Sequence, residues 1–205
     1  MSKTKVKICG IRRLEDSAIL NETLPDFAGF VFAKSPRRIT FQEAEILRRH
    51  LDRRIQTVGV FVNEPVESIL QLVNEQVIDL IQLHGDEDDQ YLKELAQQTD
   101  AKIIKAVRVS SESNLNRSYA ADYLLYDAYH GNKMGGTGKT FNWEMLRDKK
   151  EDYFLAGGLN PQNIKQAIQQ LHPYAVDISS GVETDGYKDR NKIIQLLSNI
   201  QEVTA

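Results

Sequence analysis

Two reactive side chains end two short apolar segments that lie far apart in the sequence. Cys9, the only cysteine of the 205 residues, ends residues 6–9, and Asp127 ends residues 122–127. In a barrel of parallel strands, the residue at the carboxyl end of a strand points into the mouth where active sites form. A thiol and a carboxyl group placed there would be suited to act as base and acid across a substrate. The alternatives are that Cys9 is a core residue, as buried cysteines often are, and that Asp127 caps a helix or lies at the surface as a paired acid.

Loops with glycine follow two later apolar segments. Gly157 and Gly158 come directly after residues 153–156, and Ser180 and Gly181 come directly after residues 175–179. Glycine lets the backbone approach a ligand closely, and in parallel barrels the last two loops often bind a phosphate through their N–H groups. We therefore predict a phosphate site in these two loops. Glycines that serve only tight turns are the alternative.

A basic segment and a histidine also follow predicted strands. The sequence KSPRR, residues 34–38, comes after the second apolar segment, and His84 comes after the fourth. The guanidinium group of Arg37 or Arg38 can bind a carboxylate through two parallel hydrogen bonds. A solvated basic turn is the alternative for this segment, and a hydrogen-bonded structural histidine is the alternative for His84.

The glycine-rich sequence GGTGKT at residues 135–140 invites comparison with a nucleotide-binding loop. The P-loop pattern requires a glycine five residues before Gly138, and this chain has Lys133 there. We predict instead a loop that closes over the substrate, with Lys139 near an anion. A surface loop without a ligand is the alternative.

Eight β-rich apolar segments must position these side chains. They are residues 6–9, 27–32, 57–62, 78–83, 102–107, 122–127, 153–156 and 175–179. Their nearly continuous apolar character indicates strands buried on both faces, as in a parallel sheet. Helix-like segments lie between them, except that the segment from residue 107 to residue 122 is short and polar. We therefore predict a small (β/α)8 barrel with one irregular crossover, as a single domain over residues 1–205, with a doubly wound open sheet as the alternative.

Local signals also predict where three helices begin. Residues 40–43 (TFQE) have the spacing of a capping box. Asn63 with Pro65, and Asn160 with Pro161, combine a capping residue with a proline in the first helical turn.

The composition limits the class of protein. Apolar residues make up 41% of the chain and charged residues 27%, with a net charge of -3. This composition fits an ordinary globular protein and gives no reason to expect a nucleic-acid partner. No apolar run approaches the length of a membrane span and no signal-peptide pattern precedes residue 6, so we expect no membrane association and a cytoplasmic location. One cysteine cannot form an internal disulfide or a zinc site built on several cysteines.

Seven stretches, in order along the chain, carry a family resemblance. They are residues 6–11 (VKICGI), 29–40 (GFVFAKSPRRIT), 58–63 (VGVFVN), 82–87 (QLHGDE), 135–143 (GGTGKTFNW), 156–161 (AGGLNP) and 177–183 (DISSGVE). Taken together they resemble phosphoribosylanthranilate isomerases of tryptophan biosynthesis. The resemblance implies a (β/α)8 barrel that performs an Amadori rearrangement of N-(5-phosphoribosyl)anthranilate to 1-(2-carboxyphenylamino)-1-deoxyribulose 5-phosphate.

The resemblance also implies roles for individual residues. Cys9 matches the family's general base, Asp127 its general acid, and Arg37 the arginine that holds the anthranilate carboxylate. The remaining predicted contacts are the phosphate-binding residues Gly157, Gly158, Ser180 and Gly181 and the substrate-binding residues His84 and Asp177. Asn142 stands where the family usually has aspartate, and residues 129–134 resemble an insertion, so we expect local effects on this loop rather than loss of chemistry.

This chemistry sets requirements on the two reactive groups. Asp127 must carry a proton near neutral pH, which calls for an apolar environment that raises its pKa. Cys9 must ionise, which calls for a nearby positive charge that Lys7 or Arg37 could supply. The substrate iminium accepts the electrons, so we expect no metal and no organic cofactor. We expect a small-molecule partner only, and either a monomer or a homodimer.

Two competing functions belong to other classes. Another phosphosugar barrel, such as indole-glycerol-phosphate synthase, would rely on lysines at strand ends and would not need Cys9. A binding barrel that has lost catalysis would not need Cys9 or Asp127, and their joint presence argues against it.

Overall fold

The chain forms a closed barrel of eight parallel strands arranged in sequence order. A computed structural model of the protein describes residues 4–109, 117–127 and 143–204. The strands are β1 (Lys5–Cys9), β2 (Phe27–Val31), β3 (Gln56–Phe61), β4 (Leu80–Leu83), β5 (Lys102–Arg108), β6 (Tyr123–Asp127), β7 (Tyr153–Ala156) and β8 (Ala175–Ile178). Strand β1 pairs with both β2 and β8, which closes the barrel. The predicted (β/α)8 barrel is confirmed, and the alternative open sheet is excluded.

Helices cover the outside of the strands. In the described residues they are α1 (Leu14–Thr23), α2 (Phe41–His50), α3 (Val66–Asn74), α4 (Asp89–Ala96), α5 (Ile164–Leu171) and α6 (Arg190–Thr204). A two-stranded hairpin, β9 (Glu183–Thr184) and β10 (Tyr187–Lys188), lies between β8 and α6. Among these helices, none is long and apolar enough to cross a membrane.

Only one of the three predicted helix starts is placed correctly. Thr40 caps α2 as expected: its hydroxyl accepts from the Glu43 backbone N–H at 3.3 Å, and the Glu43 carboxylate accepts from the Thr40 N–H at 2.7 Å. The prediction for Asn63 is wrong, because α3 begins after Pro65. Asn63 adopts a positive φ of 51° and its side chain accepts from the Asp86 N–H instead. It therefore joins two loops at the barrel mouth rather than capping a helix.

The helix start predicted at Asn160 is also displaced. Helix α5 begins at Ile164, with Asn163 as its capping position. The Asn160 side chain accepts from the Gln162 N–H at 2.9 Å, which makes a turn before the helix. A side-chain oxygen that bonds two residues ahead is typical of such turns, and sequence alone does not separate them from caps.

The barrel interior is filled by alternate residues of the strands. One buried apolar cluster consists of Phe27, Val58, Leu80, Ile104, Ala106, Leu125, Phe154, Ala156 and Ala175. A larger cluster joins the outer faces of the strands to the helices. Because strand side chains alternate between two faces, this arrangement leaves the carboxyl-end positions of the inner face for polar groups.

Two segments with predicted roles lie outside the described residues. Residues 110–116 belong to the predicted irregular crossover; on either side of them, residue 109 and residues 117–122 contain no helix. The predicted closing loop with Lys139, together with Asn142 and residues 129–134, also lies outside the described residues.

Candidate active site

Cys9 lies at the carboxyl end of β1, in the mouth of the barrel. Its residue is 8% exposed, and it packs against Val31 and Val60. The neighbouring strand provides the space: a Cβ atom on Gly29 would lie 2.8 Å from the Cys9 sulfur. A glycine at this position of β2 therefore leaves the space that the thiol group occupies.

A buried ion pair lies directly beneath the thiol. The Lys7 side chain is fully buried, and its ammonium group donates to Asp177 Oδ2 at 2.8 Å. Lys7 also interacts electrostatically with Cys9. Burial opposes the charge on Lys7, but Asp177 and Cys9 outweigh it and raise the pKa of the ammonium group. Lys7 is therefore one of the cations that were expected beside the thiol.

The environment of the Cys9 thiol combines opposing effects. Burial raises the pKa of the Cys9 thiol, and the Asp177 carboxylate adds to this, whereas Lys7 and Lys188 lower it. The resulting pKa of Cys9 lies above its ordinary value. The sequence predicts a positive charge near the thiol, but it does not reveal how deeply Cys9 is buried or that Asp177 lies near it.

Asp127 lies at the carboxyl end of β6 and contacts His84 from the end of β4. Asp127 Oδ2 is 3.2 Å from His84 Nε2. The other ring nitrogen, Nδ1, is 3.1 Å from the amide nitrogen of Gln82. An amide N–H that donates to Nδ1 leaves the ring hydrogen on Nε2, where it faces Asp127. Among the described residues, Asp127 thus has a polar contact, and its side chain is 21% exposed.

Arg37 reaches the mouth from the loop after β2, where it is held by Glu183. Arg37 Nε and Nη2 donate to the two Glu183 oxygens at 2.8 and 2.6 Å. The Lys188 ammonium donates to Glu183 Oε1 at 2.6 Å. Burial works against ionisation of Glu183, but Arg37 and Lys188 together lower the pKa of the carboxyl group to about 2. The fork of Arg37 is thus engaged by a carboxylate of the protein itself.

Glu183 and Lys188 were not among the predicted site residues. Both belong to the β9–β10 hairpin, whose turn residues Asp185 and Gly186 have positive φ values of 52° and 78°. Two successive positive φ values form the hairpin turn for which Asp-Gly is the strongest sequence signal. That signal is present in the sequence and would have placed Lys188 on a strand directed back towards the mouth.

The two predicted phosphate loops pack closely together. Gly157 and Gly158 both have positive φ values, 94° and 68°. A Cβ atom on Gly181 would lie 1.8 Å from the Leu159 carbonyl oxygen, so only glycine permits this approach of the two loops. Ser180 opens a short 3₁₀ turn, Ser180–Val182. A Cβ atom on Gly158 would meet no atom within 4 Å, so this backbone faces open space.

Asp177 occupies an inner position of β8 rather than an exposed one. Its Oδ2 accepts from Lys7, whereas its Oδ1 is buried and has no hydrogen-bond partner among the described residues. In the same described part of the chain, no group of three or more His, Cys, Asp or Glu side chains could hold a metal ion.

A closed parallel barrel with a thiol, a carboxyl group and an arginine at the carboxyl ends of its strands defines a (β/α)8-barrel enzyme of the proton-transfer class. The family model of N-(5'phosphoribosyl)anthranilate (PRA) isomerase matches residues 6–199. The chain therefore belongs to this isomerase family, as its sequence stretches indicate.

Individual relatives agree along the whole chain. The N-(5'-phosphoribosyl)anthranilate isomerase of Endomicrobium trichonymphae is 45% identical over 199 residues, which cover 97% of this chain and 99% of the relative. The crystal structure of phosphoribosyl anthranilate isomerase from Thermotoga maritima has a TM-score of 0.86 at 37% identity, with 97% of this chain and 99% of that chain covered. A further isomerase structure, in complex with reduced 1-(o-carboxyphenylamino)-1-deoxyribulose 5-phosphate, has a TM-score of 0.83 at 36% identity, with the same 97% and 99% covered.

Proposed function

We propose that the protein catalyses the Amadori rearrangement of N-(5-phosphoribosyl)anthranilate to 1-(2-carboxyphenylamino)-1-deoxyribulose 5-phosphate in L-tryptophan biosynthesis. The observation that carries the proposal is the presence, in a chain of this family, of Cys9 and Asp127 at the ends of β1 and β6. Both strands end at the same mouth of the barrel, where a substrate between the two groups would meet a base and an acid.

The reaction begins with two proton transfers and ends with a tautomerisation. Asp127 gives a proton to the ribose ring oxygen, and the C1–O bond breaks to leave an iminium ion between C1 and the anthranilate nitrogen. Cys9, as thiolate, removes the proton from C2, and the electrons of that C–H bond move into the iminium to form an enolamine. Tautomerisation then gives the ketone: C1 takes a proton from the Cys9 thiol and the C2 hydroxyl group gives its proton to the Asp127 carboxylate, which returns both groups to their starting states. The iminium is the electron acceptor, so the residues need to supply only proton transfer and positioning.

Substrate binding uses the groups around this pair. The contact to Glu183 occupies Arg37 Nε and Nη2, so the anthranilate carboxylate binds at the edge of Arg37 that carries Nη1. The phosphate binds to the backbone of the loops at Gly158 and Gly181, where glycine allows close approach. The buried Asp177 Oδ1, which has no partner within the described residues, accepts from a hydroxyl group of the substrate.

Several general features accompany this proposal. The protein acts as one domain over residues 1–205, in the cytoplasm, on a small molecule and without a nucleic-acid or membrane partner. It is a monomer or a homodimer, and its chemistry needs neither a metal nor an organic cofactor.

A turnover assay tests the function directly. Phosphoribosylanthranilate is fluorescent and can be generated in situ, so the loss of its fluorescence follows the reaction. The protein should turn it over, and Cys9→Ala should lower kcat by about 10²-fold or more, which is the usual effect of losing a general base. Circular dichroism of the variant should be unchanged. Turnover of indole-glycerol-phosphate synthase substrate alone, or binding without turnover, would replace the proposal with one of the two competing functions.

A further inference from the structure

Lys188 is a buried cation at the active-site mouth that the proposed proton transfers do not use. Its residue is 5% exposed. Its ammonium group donates to the Ser179 carbonyl oxygen at 3.1 Å and to Glu183 Oε1 at 2.6 Å. Burial lowers the pKa of the Lys188 ammonium group, and Glu183 and Cys9 oppose this. A buried ammonium ion is costly unless it is paired, and Lys188 meets this condition through Glu183, which also pairs with Arg37.

The charges around Cys9 do not cancel. The pair of Lys7 and Asp177 beneath the thiol is neutral as a whole. At the end of β1, the Arg37 side chain lies against Gly10, the residue after Cys9: a Cβ atom on Gly10 would lie 2.5 Å from Arg37 Cδ. The carboxylate of Glu183 is shared between two cations, this Arg37 and Lys188. This second group therefore carries one surplus positive charge. Within the described residues, the charged groups that interact electrostatically with Cys9 come from four elements: Lys7 from β1, Asp177 from β8, Arg37 from the loop after β2 and Lys188 from the β9–β10 hairpin.

The hairpin that carries Lys188 is fixed to the loop that carries Arg37. Arg12 donates to the carbonyl oxygens of Pro36, in that loop, and Gly186, in the hairpin turn. The guanidinium groups of Arg12 and Arg13 lie over the Tyr187 ring, 4.5 and 4.1 Å from its centroid. The two loops therefore hold Glu183 between its cations in a defined geometry.

We propose that Lys188 is a positioning residue for the isomerisation: it supplies the uncompensated positive charge that stabilises the Cys9 thiolate, and it fixes Glu183 so that Arg37 is correctly oriented for the substrate carboxylate. This inference rests on the proposed function for its catalytic meaning. Its electrostatic part concerns Cys9 alone and can be measured without substrate. A purely structural lysine would stabilise the hairpin without affecting ionisation of the thiol.

The sole thiol of the chain makes the electrostatic part measurable. The ultraviolet absorbance of the thiolate, with Cys9→Ala as the blank, gives the titration of Cys9 in each variant. Lys188→Met should move this titration to higher pH by about one unit, a tenfold loss of thiolate at fixed pH. Lys188→Gln keeps a hydrogen-bond donor but no charge, and it should give the same shift if Lys188→Met does not fold.

Lys192→Met is the matched control. Lys192 also donates into this hairpin, but to the Glu183 backbone oxygen at 2.6 Å rather than to its carboxylate. Its removal deletes the same charge from the neighbouring helix and should leave the Cys9 titration within about 0.3 unit. Equal shifts in Lys188→Met and Lys192→Met, or no shift in either Lys188 variant, would overturn the proposal.

Glu183→Gln separates charge from disruption. This variant removes a negative charge beside two cations, so the Cys9 titration should not move to higher pH, whereas the KM for phosphoribosylanthranilate should rise about tenfold because Arg37 loses its orientation. If Glu183→Gln moved the Cys9 titration to higher pH by as much as Lys188→Met, both changes would act by disturbing the loops, and the proposal would be refuted. If the protein turned over no phosphoribosylanthranilate, the proposed function would fail while the titrations still decided the role of Lys188.

Discussion

Removing the His84 imidazole should slow the isomerisation without touching either reacting group. His84 bridges Gln82 and Asp127, with its Nε2 3.2 Å from Asp127 Oδ2. Contact with His84 at Oδ2 orients the carboxylic acid of Asp127, so that a proton carried on Oδ1 can be given to the ribose ring oxygen. His84→Ala removes this contact, so the carboxyl group of Asp127 can rotate away from the reactive orientation.

The geometry sets the size of the effect. A hydrogen bond of this kind contributes about 1 kcal/mol net, and the partial exposure of the pair, 25% for His84 and 21% for Asp127, keeps this direct contribution small. A loss of about 1 kcal/mol in the transition state corresponds to roughly a fivefold decrease in kcat. Misplacement of a catalytic group by about 1 Å costs up to roughly 10²-fold. We therefore expect the kcat of His84→Ala to be between roughly fivefold and roughly 10²-fold lower than that of the wild type.

Steady-state kinetics with phosphoribosylanthranilate generated in situ measure the effect. KM should change less than kcat, because the contact orients a reacting group instead of holding the substrate. His84→Gln retains an N–H donor at similar reach and should recover part of the rate. In an Asp127→Asn background, His84→Ala should add little, since the histidine acts through that carboxyl group. A kcat of His84→Ala within twofold of the wild-type value would refute the reasoning.

Three further predictions concern other parts of the site. Asp127→Asn should lower kcat by at least about 10²-fold with little change in KM, and retention of most of the rate would identify another proton donor. Arg37→Ala should lower kcat/KM by roughly 30-fold, which is about 2 kcal/mol for a guanidinium group that is 27% exposed. Arg38→Ala should lower kcat/KM less. A larger loss in Arg38→Ala would assign the binding of the substrate carboxylate to Arg38. Lys105→Met should lower the stability by about 3–5 kcal/mol at neutral pH, because it leaves the buried Glu87 carboxylate without a cation. Burial raises the pKa of Glu87, but Lys105 and backbone N–H groups outweigh it and lower the pKa below 4.5. The difference in stability between the wild type and Lys105→Met, measured by thermal unfolding, should therefore narrow below pH 4.5. A difference that stays constant with pH would contradict this account.

The fold could be predicted because its signal is local and repeated. Each strand is a short apolar segment flanked by polar turns, and eight of them between helical segments leave few alternative topologies. The errors at Asn63 and Asn160 have different causes. The Asn160 side chain bonds to the Gln162 N–H in a turn before the helix, a local contact that sequence does not separate from a cap. The Asn63 side chain bonds to the Asp86 N–H of another loop, which no local signal in the sequence reveals.

The site could be predicted only as far as strand ends reveal it. Cys9, His84 and Asp127 each lie at or just after the last residue of a strand, so a barrel alone brings them to one mouth. The partners of these residues come from elsewhere in the chain. Glu183 is 146 residues from Arg37, and no spacing rule connects them. Similarly, the contact between His84 and Asp127 depends on the side-chain directions of two strands that are not adjacent in the barrel.

One regularity of the sequence connects reactive residues at strand ends with side chains that contact them. Side chains two residues apart on a strand lie on the same face, so the residue two before a strand-end group lies directly below it in the barrel. Lys7 lies below Cys9 and interacts with it electrostatically, and Gln82 lies below His84 with its amide nitrogen 3.1 Å from the ring nitrogen Nδ1. Leu125, two residues before the proposed acid, is apolar and fully buried. A polar residue at such an inner position costs stability, because it displaces the apolar side chains that fill the rest of the barrel. A lysine or glutamine two residues before a reactive strand end, in an otherwise apolar segment, therefore indicates a side chain that orients or charges the group above it, and such a residue can be recognised from the amino-acid sequence alone.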